Sequence, residues 1–362
     1  MMQKLYQKQT DMDGIVLLAK KPGPTSFSSL NSVKKALGTN KVGHTGTLDS
    51  FAQGLLVVCT GRLTRLAGNI TAFDKSYEAV IKFGEETDTL EFTGRVTKQA
   101  PLPSEQDFRL AVEKISHQIM QIPPSFSAIH INGKRASDLA RKGEETQIPP
   151  RKIKLYKAEI KEIKTGSDGH VEYALIDFSV SKGTYIRSLA RDIAYECGSA
   201  AHLIGLYRTK VGNFRIKEAA GFEALKPFSI DEAILQAQLF LKQEEEACEA
   251  AKNKAMEGKK PVHSTFILTP QEISLQEEIR KKLLSFDKAT AEECGFETIN
   301  ITTESAQADF FNGKKIISSM FAENLHDYPA GSQIAVFNKE NKFLGLIYKD
   351  EKGRPGYRFV LN

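Results

Sequence analysis

The sequence predicts an α+β protein: a mixed, largely antiparallel sheet with flanking helices, followed by a small β-rich C-terminal module. Three observations carry this. Short apolar or alternating runs read as strands, and amphipathic segments of helical period stand among them without a regular strand–helix–strand repeat. Residues 300–362 break into strand-like runs separated by glycine turns. The 362 residues are 41% hydrophobic and 26% charged, which supplies a sizeable core and a length suited to more than one compact unit.

Taken in order, residues 14–19 (GIVLLA) form an apolar run that reads as a buried strand, broken by KKPGPTS. Ser26 to Leu37 reads as a helix, with Ser or Thr at its cap, Leu30, Val33 and Leu37 on one face and lysines on the other. A Gly/Thr loop, GHTGTLD, precedes a second buried strand, LLVVCTG. Residues 76–83 alternate as a half-buried strand does. Residues 104–119 and Ser137–Lys142 read as helices, 170–181 as a strand, and Tyr185–Cys197 as a helix. From 229 to 262 the composition turns to Ala, Glu, Gln and Lys, the mark of a charged helical linker or insertion. The expected division is therefore 13–228, 229–262 and 263–362, the last containing the strand-like runs DFFNGKKI, SQIAVFNKE, KFLGLIY and YRFVLN.

Several function classes are excluded. No stretch approaches about 18 consecutive apolar residues, so a membrane span is not expected. The N-terminal MMQKLYQKQTDMDG lacks the apolar core of a secretory signal. Cys59, Cys197, Cys248 and Cys294 are scattered without a CxxC pair, which suits a reducing, cytoplasmic compartment and gives no metal site. Walker, GxGxxG, GxSxG and HExxH patterns are missing, so nucleotide cofactors, serine hydrolysis and zinc peptidase chemistry find no support.

Net charge is only +5, but it is unevenly spread. Residues 19–46 carry five lysines and no acid; residues 130–161 carry nine basic against four acidic side chains; residues 182–217 carry seven against two. Each window nets +5, leaving −10 for the rest of the chain. Concentrated cations interleaved with Phe, Tyr and His suit a polyanion such as nucleic acid.

Just past the first window, Asp49 is the one acid between Asp13 and Asp74. It lies on Gly43-His44-Thr45-Gly46-Thr47-Leu48-Asp49, a poor helix and a poor strand. A carboxylate amid cations stays ionised, which suits a nucleophile or an electrostatic stabiliser. The same residues also suit a turn-capping aspartate and a satisfied loop histidine. In Ser181-Lys182-Gly183-Thr184-Tyr185-Ile186-Arg187 a strand ends and a helix begins, and an arginine there is able to pair with a carboxylate through its planar fork. An exposed turn with an incidental arginine fits it equally.

Five blocks, GIVLLAKKPGPTS, KVGHTGTLDSFAQGLL, YEAVIKFGEETDT, PPSFSAIHINGKRASDLAR and SKGTYIRSLARDI, occur in the order and approximate spacing of the TruB family of tRNA pseudouridine synthases, which the chain resembles from about residue 13 to 225. The resemblance implies isomerisation of the T-loop uridine (position 55) of tRNA, without metal, nicotinamide or ATP. It also implies a pseudouridine synthase domain at 13–228 and a PUA-like RNA-binding domain within 263–362. By the same match Asp49 is the nucleophile, Tyr77 the aromatic floor under the base, and Arg187 the partner of the aspartate. Tyr185 lines the pocket, His44 fills the gap left by the flipped base, and Lys21 supports the active-site loop. Two departures stand out: Ser50 where a proline commonly follows the Leu-Asp pair, and Lys20 where an acid commonly precedes the Lys-Pro pair.

The resemblance leaves two further readings, a guide-RNA-dependent synthase and a non-catalytic RNA-binding or folding protein. The first would be expected to carry a lysine-rich tail, whereas this chain ends in GYRFVLN. The expected partner is the T stem-loop of tRNA, met by a monomer.

Overall fold

The computed structural model describes residues 12–131, 133–144, 147–257 and 269–361. Its main sheet is built on strands β1 (Gly14–Lys20), β2 (Val42–His44), β3 (Gln53–Thr60), β4 (Lys75–Phe83), β5 (Leu155–Thr165), β6 (Val171–Val180) and β7 (Ala201–Val211). The central path runs β1-β3-β7-β4-β6-β5, with β2 also on β3. All neighbours on this path are antiparallel except β7 and β3, which meet in parallel at Tyr207–Gln53 and Arg208–Gly54. The mixed, largely antiparallel α+β sheet expected from the sequence is therefore present.

The two continuous apolar runs are strands covered on both faces, as such runs require. In β1 and β3, Ile15, Leu17, Leu55, Val57 and Cys59 pack toward the C-terminal unit. Val16, Leu18, Leu56 and Val58 pack instead on helix α1 (Ser26–Leu37) through Leu30, Val33 and Leu37. Thr25 caps α1 by accepting the Ser28 N–H, and Gly38 closes it in the left-handed conformation. On the other half, Tyr77, Ala79, Ile81 and Phe83 of β4 pack with helices α2 (Glu105–Ile115) and α4 (Ile186–Glu196). Helix α3 (Ala136–Arg141) lies between α2 and α4 in the sequence.

Two findings add detail to the expected division, and one expected strand is corrected. Within 229–262, helix α5 (Ile230–Glu257) is no free linker at its start: Ile230, Ala233 and Ala237 are buried against Val80, Leu175 and Ile204, and Phe240 meets Phe92 edge-on at 5.6 Å. Its early apolar positions recur at helical spacing, which mean composition hides. Helix α6 (Pro270–Lys281), inside the expected C-terminal unit, packs on the first: Ile279 joins the α1 cluster and Arg280 Nε donates to the Ala36 carbonyl at 2.7 Å. Residues 258–268, where 229–262 meets 263–362, lie outside the described residues. Finally, DFFNGKKI is not a strand. Helix α7 (Lys288–Glu293) is followed by helix α8 (Glu304–Phe311), which Thr303 caps through the Ala306 N–H and which buries Phe310.

The C-terminal strands β8 (Glu297–Asn300), β9 (Gln333–Phe337), β10 (Phe343–Lys349) and β11 (Pro355–Val360) form a four-stranded sheet in that order. Phe286, Phe296, Phe337 and Phe343 share one apolar cluster with β1 and β3, so the two units are joined by a packed core. Arg62 ties the seam, pairing with Asp13 at 2.6 Å and donating to the Leu361 carbonyl at 3.2 Å. No described helix is long and apolar enough to cross a membrane.

Candidate active site

The loop from Thr45 to Ala52 joins β2 to β3 and carries Asp49 just past its middle. Its glycines and threonines build no regular element, so its shape is set by side chains reaching in from other elements. Ser26, the first residue of α1, is buried; its Oγ donates to the Leu48 carbonyl at 2.9 Å and accepts the Leu48 N–H at 2.7 Å. Arg208 of β7 is 2% exposed and donates to the carbonyls of Leu55, Thr47 and Gly46 at 2.8, 3.2 and 3.1 Å. Leu48, Phe51 and Ala52 are buried on either side of Asp49, and all three join the core cluster that includes Tyr77. Backbone on both sides of the aspartate is thus fixed while its own side chain stays about 30% exposed.

Arg187 meets that side chain. It sits in the first turn of α4, is 6% exposed, and brings Nε within 3.1 Å of Asp49 Oδ2 and Nη2 within 3.3 Å of Oδ1. Two further guanidinium donors go to the Thr89 and Phe126 carbonyls at 2.8 and 3.0 Å, which locks the fork's plane. The two sequence blocks that carried Asp49 and Arg187, 138 positions apart, meet as a bidentate pair.

The other expected residues are placed as follows. Tyr77 of β4 is 8% exposed and lies in register between Phe178 of β6 and Arg208 of β7. His44 ends β2; burial first and the Arg208 charge second lower its pKa, and its Nδ1 has no hydrogen-bond partner among the described residues. Tyr185 holds the N-cap position of α4, where Gln121 brackets its backbone: Gln121 Oε1 accepts the Tyr185 N–H at 2.9 Å and Nε2 donates to its carbonyl at 3.1 Å. The Tyr185 ring packs against the Ile129, Ala136 and Ile148 cluster. The Lys21 side chain is exposed; it is its neighbour Lys20, 1% exposed, whose Nζ reaches the loop and donates to the carbonyls of Ser50 and Ala52 at 3.1 and 2.6 Å.

Ser26, Arg208 and Glu91 were not singled out from the sequence as site residues, and Lys20 was noted there as a departure without a role. Glu91 Oε2 lies 3.9 Å from Arg187 Nη1, and Thr93 donates to its Oε1 at 2.9 Å. Burial first, then repulsion from Asp49, pushes the Glu91 carboxyl well above the ordinary carboxylate range. One signal pointed to it: Glu91 closes the acidic run that starts in the YEAVIKFGEETDT block. The basic windows also change meaning. Lys20, Arg187 and Arg208 are buried and act inside the site, whereas Lys21, Lys134, Arg135, Lys152, Lys182 and Arg215 are exposed.

A carboxylate held by a guanidinium fork, on a loop whose apolar residues share a cluster with Tyr77, is suited to nucleophilic chemistry at a carbon centre. In fold, the chain is similar to a chain of a Cbf5-Nop10-Gar1 complex, with a TM-score of 0.60 at 22% identity, covering 98% of this chain and 86% of that one. A family model described as TruB family pseudouridylate synthase (N terminal domain) matches residues 34–186. Among curated proteins, the tRNA pseudouridine synthase B of Treponema denticola is 43% identical over 85% of this chain and 85% of its own. That of Treponema pallidum subsp. pallidum is 33% identical over 94% and 95%. The chain belongs to the TruB family of pseudouridylate synthases.

Proposed function

We propose that the protein isomerises the T-loop uridine at position 55 of tRNA to pseudouridine, with Asp49 as nucleophile. The observation that carries this reading is the two-point contact of Arg187 with Asp49, at 3.1 and 3.3 Å, on a loop whose backbone is held from three other elements. The kinship with proteins named tRNA pseudouridine synthase B supports the choice of RNA. The guide-RNA-dependent alternative finds only a fold likeness at 22% identity.

The reaction breaks the bond between N1 of uracil and C1′ of its ribose and joins C5 of the same base to C1′. A proton leaves C5 and N1 gains one, so there is no net redox change and no second substrate. Asp49 attacks either C1′ or C6; both routes need an oriented carboxylate, which Arg187 provides. The detached base must turn over without escaping, and stacking on Tyr77 contributes on the order of 1–3 kcal/mol. Flipping the uridine out of its loop costs a few kcal/mol. His44, kept neutral by burial, offsets part of this by filling the vacated stack. Tyr185 closes the pocket wall, and the exposed cations grip flanking phosphates.

We assign catalysis to a unit beginning near residue 13 and RNA binding to the PUA-like C-terminal sheet, with the cytoplasm as the compartment and a monomer as the working unit. Purified protein incubated with unmodified tRNA, followed by chemical mapping of pseudouridine, tests the reading. A single T-loop signal is expected; no signal, or signals scattered over other stems, would overturn it.

A further inference from the structure

The residue before Lys21-Pro22 is a lysine, and the fold buries it. Lys20 closes β1 and is 1% exposed. Its Nζ donates to the carbonyls of Ala52 at 2.6 Å, Ser50 at 3.1 Å and Lys21 at 3.1 Å. Three acceptors match the three N–H groups of an ammonium, while a neutral amine has only two. Two of these carbonyls lie just past Asp49. The Ser50 carbonyl also accepts the Gly23 N–H at 2.8 Å, so the backbone just past Asp49 is tied at two places to the segment that leaves β1.

We propose that Lys20 is a positioning residue for the reaction: its ammonium ties the Ser50 and Ala52 carbonyls to the end of β1 and so fixes the direction in which Asp49 presents its carboxylate. The proposal rests on the reading of Asp49 as the reacting group. The charged groups set against Lys20 are Asp49 from the loop, which favours the ammonium, and Arg208 from β7, which opposes it. Burial outweighs both and lowers the Lys20 pKa to about 7. As pH rises through that value the amine loses a donor and its charge, the loop loses a tie, and the rate falls on the alkaline side.

Single-turnover pseudouridine formation and tRNA binding are measured for wild type, Lys20→Met and Lys20→Arg between about pH 6 and about pH 9. Lys20→Met should slow the chemical step roughly tenfold to a hundredfold, as a slightly misdirected nucleophile does, with tRNA affinity within about threefold. It should also lack the alkaline decline. Lys20→Arg stays charged throughout, so it should recover most of the rate and lose the decline. A Lys20→Met enzyme that runs at the wild-type rate, or keeps the alkaline decline, overturns the proposal. Because a buried substitution can prevent folding, a second measurement uses the native side chain: NMR titration of Lys20 in wild type and in Asp49→Asn. Removing the carboxylate should lower the Lys20 midpoint, and an unmoved midpoint overturns the coupling. An active Asp49→Asn enzyme would instead remove the nucleophile reading, an outcome separate from either Lys20 result.

Discussion

Arg208 of β7 lies directly beside Gly54 of β3, at the parallel pairing that joins the two halves of the main sheet. Gly54 has φ +121°, and a Cβ there would sit 2.4 Å from the Arg208 carbonyl oxygen and 2.6 Å from its nitrogen. The glycine lets the arginine backbone come close enough for its guanidinium to reach Gly46 and Thr47. Gly54→Ala should therefore cost about 2–4 kcal/mol of stability, by combining a left-handed φ with a backbone clash. Its urea midpoint should drop and its activity should fall further than unfolding alone explains; a wild-type midpoint would refute this.

Asp49→Asn keeps the side chain's shape and removes its nucleophilic oxygen. Pseudouridine formation should vanish, while tRNA binding stays within severalfold, because no phosphate contact is lost. Filter binding and tritium release from C5-labelled uridine measure the two separately. Full activity in this variant would end the proposed mechanism.

Much of this site was legible in the sequence, and the reasons for the rest are physical. Helix α1 was readable because Thr25, the Leu30–Val33–Leu37 face and Gly38 all agree. The edge strand β5 was not: Lys157, Glu159 and Lys161 cover it with charge, as edge strands need, and this mimics a loop. Strand β7 was hidden by His202 and Arg208, which are polar yet buried because each has a built-in partner. Lys20 and Lys21 are chemically identical neighbours. Only the end of β1, which sends one inward and leaves the other in the turn, tells them apart.

Arg187→Lys keeps a positive charge but replaces a planar fork by a point charge. The contacts to both Asp49 oxygens and to the Thr89 and Phe126 carbonyls cannot all be remade. The rate constant of the chemical step should drop by about a hundredfold or more, near 2.7 kcal/mol of transition-state energy. A smaller drop than in Arg187→Gln but well below wild type is expected in single-turnover assays. Equal activity of Arg187→Lys and wild type would show that charge alone suffices.

The buried imidazoles should contribute a loss of stability on the acid side. The pKa values of His44 and His202 are lowered from 6.5, in each case by burial first. Below 6.5 the unfolded chain therefore binds protons that the folded one resists, so this stability is complete above about 6.5 and is lost as pH falls through the folded values. Glu91, raised to about 7, acts in the opposite sense over the same range, so the imidazole contribution is read as a difference: in unfolding midpoints recorded from about pH 7.5 down to about pH 5.5, His44→Gln should lose less stability on acidification than wild type. An unchanged slope in that variant would mean that His44 protonates freely in the folded state.

Binding to tRNA should weaken steeply with salt. Lys20, Arg187 and Arg208 are buried, so the phosphate grip falls to exposed cations such as Lys134, Arg135, Lys152 and Lys182. If about six phosphates are neutralised, affinity should fall roughly a thousandfold between about 50 and about 200 mM salt. Replacing Lys152 by Gln should reduce the slope of log affinity against log salt by about one contact, with the chemical step in saturating tRNA unchanged. A flat salt response would separate the uneven charge of the chain from RNA binding altogether, and the affinity would then have to come from stacking and shape.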